Sequence, residues 1–339
     1  MLHNCVESQR NEREMMSEMP IVSVVIPTRN AAAWLPGCLE SLRYLEYPPE
    51  LIDILIVDGE STDGTQHIVK QHSVRIVNNV GHSVCAARNL SLEHVKGELV
   101  AFTDADCRVT KNWLTNAVQY FSDSQVGGVG GPTLSPEDQS HFAQAVNYLF
   151  RAAAAYAEAA HTDGDVETKE VAHLPGCNMM FRKEILADVM PIDEQLVTGE
   201  DVELCRLVKR QGYKLLWVPE MQVWHYNRKN PRAFWRQMYR YAIGRLQIGK
   251  RDWRWLHPFH VLVGVSPPIF LLFLVFLGLA WPLSIAIFGI FIVISLIITV
   301  AMTASFRVGC ALMIAGCILI GAWSCGFWRE LVLPTKRQS

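Results

Sequence analysis

Short apolar runs alternate with helical patterns along the first half of the chain. Residues 21–26 predict a buried strand that stops at Pro27, and Leu35, Leu39 and Leu42 then repeat with helical spacing. Further strands are expected at 52–57, 74–77 and 99–102, with helices through 68–69 and over 84–95 between them. Near-continuous Val, Ile and Leu strands separated by helices predict a mostly parallel sheet covered on both faces, an α/β fold.

Residues 257–330 are almost continuously apolar. Three segments, 259–280, 282–302 and 308–328, each reach the roughly 20 apolar residues that span a bilayer. Pro267 and Pro268 lie inside the first segment and are expected to kink it. Three spans would carry the basic C-terminus away from a cytosolic domain, against the positive-inside tendency. An arrangement with two spans and one re-entrant or interfacial segment therefore stays open.

These patterns divide the chain into five parts. We expect a leader at 1–19, a catalytic domain at 20–227, basic amphipathic interfacial helices at 228–256, a transmembrane helical region at 257–330 and a tail at 331–339. The leader lacks the apolar core of a signal peptide, and nine cysteines without a CxxC pair indicate reduced thiols. We therefore expect a multi-pass protein of the inner cell membrane with a cytoplasmic catalytic domain.

The net charge of −2 conceals a strong asymmetry. Residues 1–227 carry 18 Lys/Arg against 31 Asp/Glu, whereas residues 228–255 carry nine Lys/Arg and a single acid, Asp252. Trp235, Trp253 and Trp255 interleave with these basic residues. A basic, Trp-containing segment directly before an apolar tail favours membrane lipids of the anionic cytoplasmic leaflet as partners, and we expect no nucleic acid.

Polar side chains follow the predicted strands at the point where each strand ends. Thr28, Asn30, Asp58 and Asp104 all fall there, and ligands of open α/β sheets bind beyond the carboxyl ends of the strands. The sequence has no GxxxxGKS/T loop and no GxGxxG after the first strand, so the ATPase and dinucleotide-dehydrogenase interpretations lose their main support.

Two acidic pairs carry the candidate chemistry, Asp104-Ala105-Asp106 and Glu200-Asp201. Carboxylates at a strand end would repel a bare diphosphate, but a divalent cation such as Mg²⁺ or Mn²⁺ that bridges carboxylate and phosphate oxygens removes the repulsion. Asp106 is the first predicted ligand, and Asp104 is either a second ligand or a partner of ribose hydroxyls. The second pair is predicted to remove a proton from an acceptor, with a lipid as the expected acceptor at a membrane surface.

An ordered set of motifs over about residues 20–245 resembles family 2 glycosyltransferases. The motifs are Val24-Val25-Ile26-Pro27-Thr28-Arg29-Asn30, Val57-Asp58-Gly59-Glu60-Ser61-Thr62-Asp63-Gly64-Thr65, Ala87-Arg88-Asn89, Phe102-Thr103-Asp104-Ala105-Asp106 and Gly199-Glu200-Asp201. The resemblance implies the GT-A fold of nucleotide-diphospho-sugar transferases, with a Rossmann-like sheet, and inverting transfer from a nucleotide-diphosphate sugar donor.

The family roles carry over position by position. The resemblance implies that the segment from Pro27 to Asn30 lies at the nucleotide, that Thr28, Asp58 and Arg88 hold the base, and that Asp104 holds the ribose or metal. It also implies that Asp106 binds the metal and that Asp201, beside Glu200, is the general base. A helix over roughly 201–211 begins at this base, so the alternative is that Glu200 or Asp201 merely caps the helix.

Further resemblances concern the acceptor side and a third metal ligand. Gln237-Met238-Tyr239-Arg240-Tyr241 is similar to the QxxRW box of polysaccharide synthases, with Tyr in place of Trp. On a helix, the i, i+3, i+4 spacing puts Gln237, Arg240 and Tyr241 on one face. With Arg236, they are expected to hold the acceptor sugar and the diphosphate. Gly176 and Asn178 resemble the family's acceptor-side loop, and His225 matches a histidine that completes the metal site in some relatives.

We therefore expect an inverting, metal-dependent, non-processive glycosyltransferase that uses a UDP-sugar and a lipid-linked saccharide acceptor in polysaccharide or glycan assembly. Two alternatives stay open. A polyprenyl-phosphate glycosyltransferase would need no base, because its phosphate nucleophile is already ionised. An inactive membrane adaptor that only binds nucleotide sugars would not need its acidic pairs.

Overall fold

The structure is a computed structural model, and it describes residues 19–136, 138–156, 167–277 and 293–335. The described residues divide into two compact units. The sheet unit comprises the described residues of 19–134, 167–192 and 204–224, and the helical unit comprises those of 135–156, 193–203 and 225–335. The predicted leader, the tail beyond 335 and the stretch 278–292 of the predicted spans lie outside the described residues.

The strands follow the predicted pattern closely. They are β1 (Val22–Thr28), β2 (Ile52–Asp58), β3 (Arg75–Asn78), β4 (Leu99–Phe102), β5 (Cys107–Val109), β6 (Val126–Gly130), β7 (Thr133–Leu134), β8 (Lys169–Glu170), β9 (Met179–Arg182), β10 (Lys214–Trp217) and β11 (Val223–His225). In the described part of the chain, eight of them form a sheet in the order β3-β2-β1-β4-β9-β6-β10-β8. A second sheet has the order β5-β11-β7.

The large sheet is mostly parallel, as predicted. β1 pairs in parallel with β2 and β4, β2 with β3, and β6 with β10. β9 runs antiparallel to both β4 and β6, and β8 is antiparallel to β10. The apolar side chains of β1 are buried on both faces, which explains why its sequence reads as a continuous apolar run.

The helices lie between and after these strands. They are α1 (Leu35–Arg43), α2 (Thr65–Gln71), α3 (Val84–Leu92), α4 (Trp113–Val118), α5 (His141–Tyr156), α6 (Lys183–Val189), α7 (Glu200–Arg210), α8 (Pro231–Arg251), α9 (Pro258–Leu277), α10 (Val293–Thr303) and α11 (Phe306–Val332). α8 begins at a Pro that follows the Asn230 cap, whose side chain accepts from the Arg232 amide.

Within the helical unit, α11 packs along α8 and α5. Ala315 and Ala322 of α11 are buried with Phe234 and Met238 of α8. Gly326 allows the closest approach, because a Cβ there would lie 2.3 Å from the carbonyl oxygen of Tyr239. The apolar face of α11 is therefore covered in part by the basic helix α8.

The Pro267-Pro268 pair does not interrupt α9, which continues through both residues. Each proline lacks an N–H, so the carbonyls of Val263 and Gly264 lose their usual helical donors. The Ser266 hydroxyl donates to Val263 O at 3.2 Å. Gly264 O accepts from Ser324 Oγ at 2.8 Å and from Trp328 Nε1 at 3.1 Å. Pro268 thus leaves the Gly264 carbonyl free to accept hydrogen bonds from Ser324 and Trp328 of α11.

Among the described residues, α11 is the one helix long and apolar enough, by length and composition, to cross a membrane. The part of α9 whose side chains the structure describes, Pro258–Ile269, is shorter, as is α10, Val293–Thr303. Of the most apolar stretch of α11, 33% is buried within the structure. The described residues therefore do not support the predicted multi-pass arrangement, and they give only weak evidence for a membrane helix.

Candidate active site

Asp58 closes β2 and is fully buried beside Thr28 at the end of β1. Its Oδ1 accepts from Thr28 Oγ1 at 2.9 Å and from Ser61 Oγ at 2.5 Å. Its Oδ2 accepts from the Ser61 amide at 3.0 Å and from Gln66 Nε2 at 2.9 Å. Burial opposes the charge, but these hydrogen bonds outweigh it and hold the pKa of Asp58 below its ordinary value.

These four donors have a consequence for the predicted contact between Asp58 and a nucleotide base. A carboxylate has about four lone-pair sites, and the four donors already occupy them. A base can contact Asp58 only if Ser61 or Gln66 gives up its bond. Thr28, also predicted to hold the base, is committed to Asp58 in the same way.

Asn30, predicted at the nucleotide, joins the ends of β1 and β2. Its amide donates to Ser61 Oγ at 2.8 Å, and its side-chain oxygen accepts from the Thr62 amide at 2.8 Å. Asn30 has a φ of 53°, a left-handed conformation that Asn tolerates better than most residues. Pro27 lies one residue from the end of β1, on the same segment. The segment therefore has a fixed shape at the edge where ligands of such sheets bind.

Arg88, the third residue predicted at the base, is buried in α3 with 1% of its surface exposed. Its Nη2 donates to the carbonyl oxygen of Gly176 at 3.0 Å, and its guanidinium carbon lies 5.3 Å from the centroid of the Phe102 ring. The structure thus links a residue predicted at the nucleotide to a residue predicted on the acceptor side. Arg88 holds the Gly176 loop against α3.

Asn178 has a structural role in the fold. Its side chain is fully buried. The side-chain oxygen accepts from Trp113 Nε1 at 2.8 Å, and Nδ2 donates to Pro132 O at 3.1 Å and to Met221 O at 2.7 Å. An amide with these bonds holds three segments together and is fully buried, so the structure shows a structural role for this side chain, and its acceptor contact stays a prediction.

The first acidic pair follows β4 directly, as predicted. Ala105 is buried, whereas Asp104 and Asp106 on either side of it are only half-buried. The backbone of Asp104 is fixed, since its carbonyl accepts from the Cys107 amide at 3.0 Å and from Cys38 Sγ at 3.5 Å. Two half-exposed carboxylates two residues apart supply the hard oxygen ligands that Mg²⁺ and Mn²⁺ prefer, so these residues fit a divalent cation.

The negative charge of this pair acts on neighbouring thiols. Burial raises the pKa of Cys38 above its ordinary value, and the charges of Asp104 and Asp106 raise it further. Burial, Cys177 and the same two carboxylates also raise the pKa of Cys107. The edge of the sheet after β4 is therefore a region of negative potential, as a cation site requires.

The second acidic pair begins α7. Because the helix starts at Glu200, the capping position falls on Gly199, which has a φ of +85° and no side chain. Asp201 Oδ1 accepts from the amide of the next residue, Val202, at 2.9 Å. Neither Glu200 nor Asp201 therefore stands at the capping position, where the alternative interpretation would put one of them. Both are half-buried in the first turn, where the helix dipole favours an ionised carboxylate.

The predicted face of the QxxRY box forms on α8. Gln237 Nε2 donates to the Tyr241 hydroxyl at 3.1 Å, which confirms the i, i+4 relationship. Arg240 Nη2 donates to the carbonyl oxygen of Val197 at 2.8 Å, so this cation holds the segment that leads into α7. Arg236 is exposed on α8.

Tyr241 and Arg245 belong to the electrostatic surroundings of the second acidic pair, within the helical unit. Although 40% of the Tyr241 surface is exposed, loss of water around the hydroxyl raises the pKa of Tyr241 to about 12, and the charges of Asp201 and Glu200 contribute to the rise. Burial lowers the pKa of Arg245, whereas Asp201 and Tyr241 oppose that shift. Arg245 was not predicted as a site residue. Its signal in the sequence is its position one helical turn after Tyr241.

Two further residues of α8 position the start of α7, and sequence reasoning missed both. A Cβ at Gly244 would lie 2.1 Å from the carbonyl oxygen of Thr198, so only Gly allows this contact. Arg251 Nη1 donates to Glu203 Oε1 at 2.9 Å, and its Nη2 donates to Asp193 Oδ2. Glu203 is buried, with 3% of its surface exposed. α8 therefore holds the segment that carries Asp201 at several points.

His225 ends β11 and is half-buried. It belongs to the helical unit, whereas Asp104 and Asp106 belong to the sheet unit. Its role as a third metal ligand stays a prediction.

Sequence comparison matches part of this chain to a known family. Residues 23–190 match the family described as glycosyl transferase family 2. The glycosyltransferase AglE of Haloferax volcanii is 27% identical over 248 residues, which cover 70% of this chain and 77% of AglE. A transferase of Methanococcus voltae, named for the addition of a diacetamido-dideoxyglucuronosyl group to a dolichyl N-acetylglucosaminyl phosphate, is 24% identical over 265 residues, 72% of this chain and 79% of its own length.

Solved structures show the same fold. The mannosyltransferase PcManGT from Pyrobaculum calidifontis, in complex with GDP-Man and Mn²⁺, has a TM-score of 0.66 at 17% identity and covers 94% of this chain and 88% of its own. Residues 1–349 of TarS from S. aureus, in complex with UDP-GlcNAc, give a TM-score of 0.51 at 17% identity, with 91% of each chain covered. The fold is thus that of the GT-A transferases. The chain carries a family 2 glycosyltransferase domain and is a glycosyltransferase.

Proposed function

We propose that this protein is an inverting, non-processive glycosyltransferase that moves a sugar from a nucleotide diphosphate donor to a hydroxyl of a lipid-linked saccharide. The observation that carries the proposal is the placement of Asp201. It is a half-buried carboxylate in the first turn of α7, within a segment that Gly244 and Arg240 of α8 hold in place. Inversion in one displacement needs one such base, separate in sequence from the diphosphate site.

In the proposed reaction, the Asp201 carboxylate accepts the proton of the acceptor hydroxyl while the hydroxyl oxygen attacks the anomeric carbon of the donor sugar. The bond from that carbon to the diphosphate oxygen breaks, and the nucleotide diphosphate leaves with the bonding electrons. Tyr241 and Arg245 lie close enough to the base to interact with its charge.

We assign the donor diphosphate to the edge of the sheet after β4. Asp106 and Asp104 would hold Mg²⁺ or Mn²⁺ there, with His225 proposed as a third ligand. When bound, the cation neutralises the charge that develops on the leaving diphosphate. The Mn²⁺ in the PcManGT complex and the half-buried carboxylates of this chain support the assignment. The complexes of structural neighbours with GDP-Man and UDP-GlcNAc support a nucleotide sugar, and we propose a UDP-sugar.

We propose that the helical unit contacts the membrane and the acceptor. α8 carries exposed basic residues, including Arg236 and Arg240. Apolar side chains are exposed on the three following helices, among them Leu262 on α9, Ile297 on α10 and Phe306 on α11. The combination suits a surface of anionic lipid, and the relative named for a dolichyl phosphate-linked acceptor supports a lipid-linked saccharide. The cytoplasmic face of the inner cell membrane remains our proposed location.

The experiment that tests the proposal uses full-length protein in detergent with a panel of UDP- and GDP-sugars, with and without extracted lipid-linked saccharides. Release of nucleotide diphosphate should require Mg²⁺ or Mn²⁺ and should rise on addition of acceptor. Asp201→Asn should abolish acceptor-dependent release, and Glu220→Gln, at an exposed turn far from both acidic pairs in sequence, should match the parent. Binding of nucleotide sugars without any release would support the adaptor alternative instead.

The acceptor class is tested in the same assay. A hydroxyl nucleophile needs the base, whereas a polyprenyl phosphate does not. Transfer to a polyprenyl phosphate that survives Asp201→Asn would replace our proposal with the polyprenyl-phosphate alternative. Binding to anionic vesicles should be tighter than binding to neutral vesicles, and the difference should shrink as salt is added, because it comes from the basic surface of α8.

A further inference from the structure

Two buried cysteines, seventy positions apart in the chain, meet beside the first acidic pair. Cys107 begins β5 and Cys177 lies just before β9, with 1% and 8% of their surfaces exposed. Both are free cysteines rather than partners in a disulfide. Both Sγ atoms and a carboxylate oxygen of Asp104 lie within 4.8 Å of one another. All three residues belong to the sheet unit, so the arrangement does not depend on the helical unit.

This geometry is close to that of a coordinated metal ion. Two thiolates around a tetrahedral zinc ion, each at about 2.3 Å from the metal, stand roughly 3.8 Å apart, and a carboxylate oxygen binds at about 2.0–2.2 Å. The ligand atoms already lie within 4.8 Å of one another, so the two Sγ atoms need to approach by at most about 1 Å to match two thiolates on zinc. Asp104 is half-buried, so an ion and a water ligand can enter from its side.

The surroundings of the cluster hold its ligands in place. The Thr133 hydroxyl lies 3.7 Å from Cys177 Sγ, within hydrogen-bonding range of sulfur. The Cys107 amide and Cys38 Sγ both donate to the carbonyl oxygen of Asp104. Such outer contacts orient metal ligands in known sites and strengthen binding.

The donor set differs from that of the catalytic cation. Asp104 and Asp106 offer only oxygen, which suits Mg²⁺ and Mn²⁺, whereas two sulfurs and one oxygen suit Zn²⁺ and other thiophilic ions. We propose that Cys107, Cys177 and Asp104 form a second metal site for a thiophilic divalent cation such as Zn²⁺, and that its occupation withdraws Asp104 from the catalytic cation and inhibits sugar transfer. Binding releases one proton from each thiol to solvent, and water fills the fourth position. The inhibition, but not the binding, rests on the proposed function.

Cobalt is the probe for binding, because thiolate-bound Co²⁺ absorbs in the near ultraviolet and oxygen-bound Co²⁺ does not. Full-length protein in phosphine reductant is titrated with Co²⁺ and then with Zn²⁺. The parent should develop a charge-transfer band that saturates at a single ion per chain and disappears when Zn²⁺ displaces Co²⁺. Absence of the band in the parent overturns the proposal.

Matched variants assign the band to this cluster. Cys107→Ser with Cys177→Ser should abolish it, and Cys85→Ser, which changes a buried cysteine of α3, should leave it intact. Should the double variant unfold, Cys177→Ala alone removes one thiolate at the less buried position and should weaken Co²⁺ binding at least tenfold. A band that survives loss of Cys177 comes from other cysteines and contradicts the site.

Inhibition is measured separately as release of nucleotide diphosphate with saturating Mn²⁺. Zn²⁺ should inhibit the parent, and the concentration for half-inhibition should rise at least tenfold in Cys177→Ala. Equal inhibition of parent and variant would place the inhibitory Zn²⁺ elsewhere and overturn the regulatory half of the proposal. A protein without transferase activity but with the cobalt band would overturn the proposed function and leave the metal site standing.

Discussion

Gly244 of α8 lies directly against the carbonyl oxygen of Thr198: a Cβ at position 244 would stand 2.1 Å from it. Thr198 precedes Asp201 by three residues, and Gly199 between them has a left-handed backbone. Because Gly244 has no side chain, α8 can pack directly against the segment that carries the proposed base.

Gly244→Ala should reduce both stability and turnover. A contact of 2.1 Å with a backbone atom forces either α8 or the Thr198 segment to move, and a small displacement of a catalytic base is costly. We expect kcat to fall at least tenfold, with a lower Tm by differential scanning fluorimetry. Gly316→Ala is the matched control, because nothing lies within 4 Å of a Cβ there and Ala gains about 1 kcal/mol of helix propensity. Unchanged kcat in Gly244→Ala would show that the segment does not position the base.

Asp201→Asn keeps the shape of the side chain and removes its basicity. The kcat for transfer should fall by ~10²-fold or more, while the affinity for the donor stays near the parent value. Steady-state kinetics together with donor binding by calorimetry separate the two effects. Loss of donor binding with little change in kcat would assign Asp201 to binding or folding.

Asp106→Ala should abolish turnover, because a cation held by oxygen ligands loses one of its two proposed carboxylates. Chelation by EDTA should have the same effect on the parent, and Mn²⁺ or Mg²⁺ should restore the parent but not the variant. Full activity of the parent in EDTA would refute the metal assignment at this pair.

Arg251→Ala should destabilise the protein by about 3 kcal/mol, since it leaves the buried Glu203 carboxylate without the guanidinium that binds it. Chemical denaturation measures the change. Arg254→Ala is the control: the Arg254 guanidinium that binds Asp252 is itself 71% exposed, so the midpoint of this variant should hardly move. If the two variants lose equal stability, the Arg251 network does not hold the start of α7.

The lowered pKa of Asp58 leads us to expect that the stability of the folded protein depends on pH. This pKa is lower in the folded protein than in the unfolded chain, so folding favours the ionised form. This contribution is complete above the ordinary Asp pKa of about 3.9 and is lost as the pH falls through the lower folded value. The difference in Tm between the parent and Asp58→Asn should therefore be largest near neutral pH and shrink on acidification. A difference that is constant with pH would mean that the four hydrogen bonds do not stabilise the charge.

The local pattern of the chain was sufficient for much of the fold. β1, β2, β3 and β4 lie within two residues of their predicted positions, because apolar runs bounded by Pro, Gly and Asp report strands through short-range chemistry alone. The pairing of Gln237 with Tyr241 followed from helical spacing for the same reason. The placement of Asp104 and Asp106 at a strand end needed only the strand before them.

Contacts between distant segments had no such signal. Cys107 meets Cys177, and Gly244 meets Thr198, only because packed elements bring them together, and neither pair has a recognisable spacing. Asn178 resembled a residue of the acceptor side, but its burial against Trp113 depends on neighbours from other parts of the chain. Hydropathy alone predicted three membrane spans, because it does not distinguish apolar side chains that face lipid from those that pack against protein. In the structure, α11 buries part of its apolar surface on α8. The spacing of apolar residues in the sequence predicts which side chains are buried. Only the tertiary structure determines which other side chains they pack against.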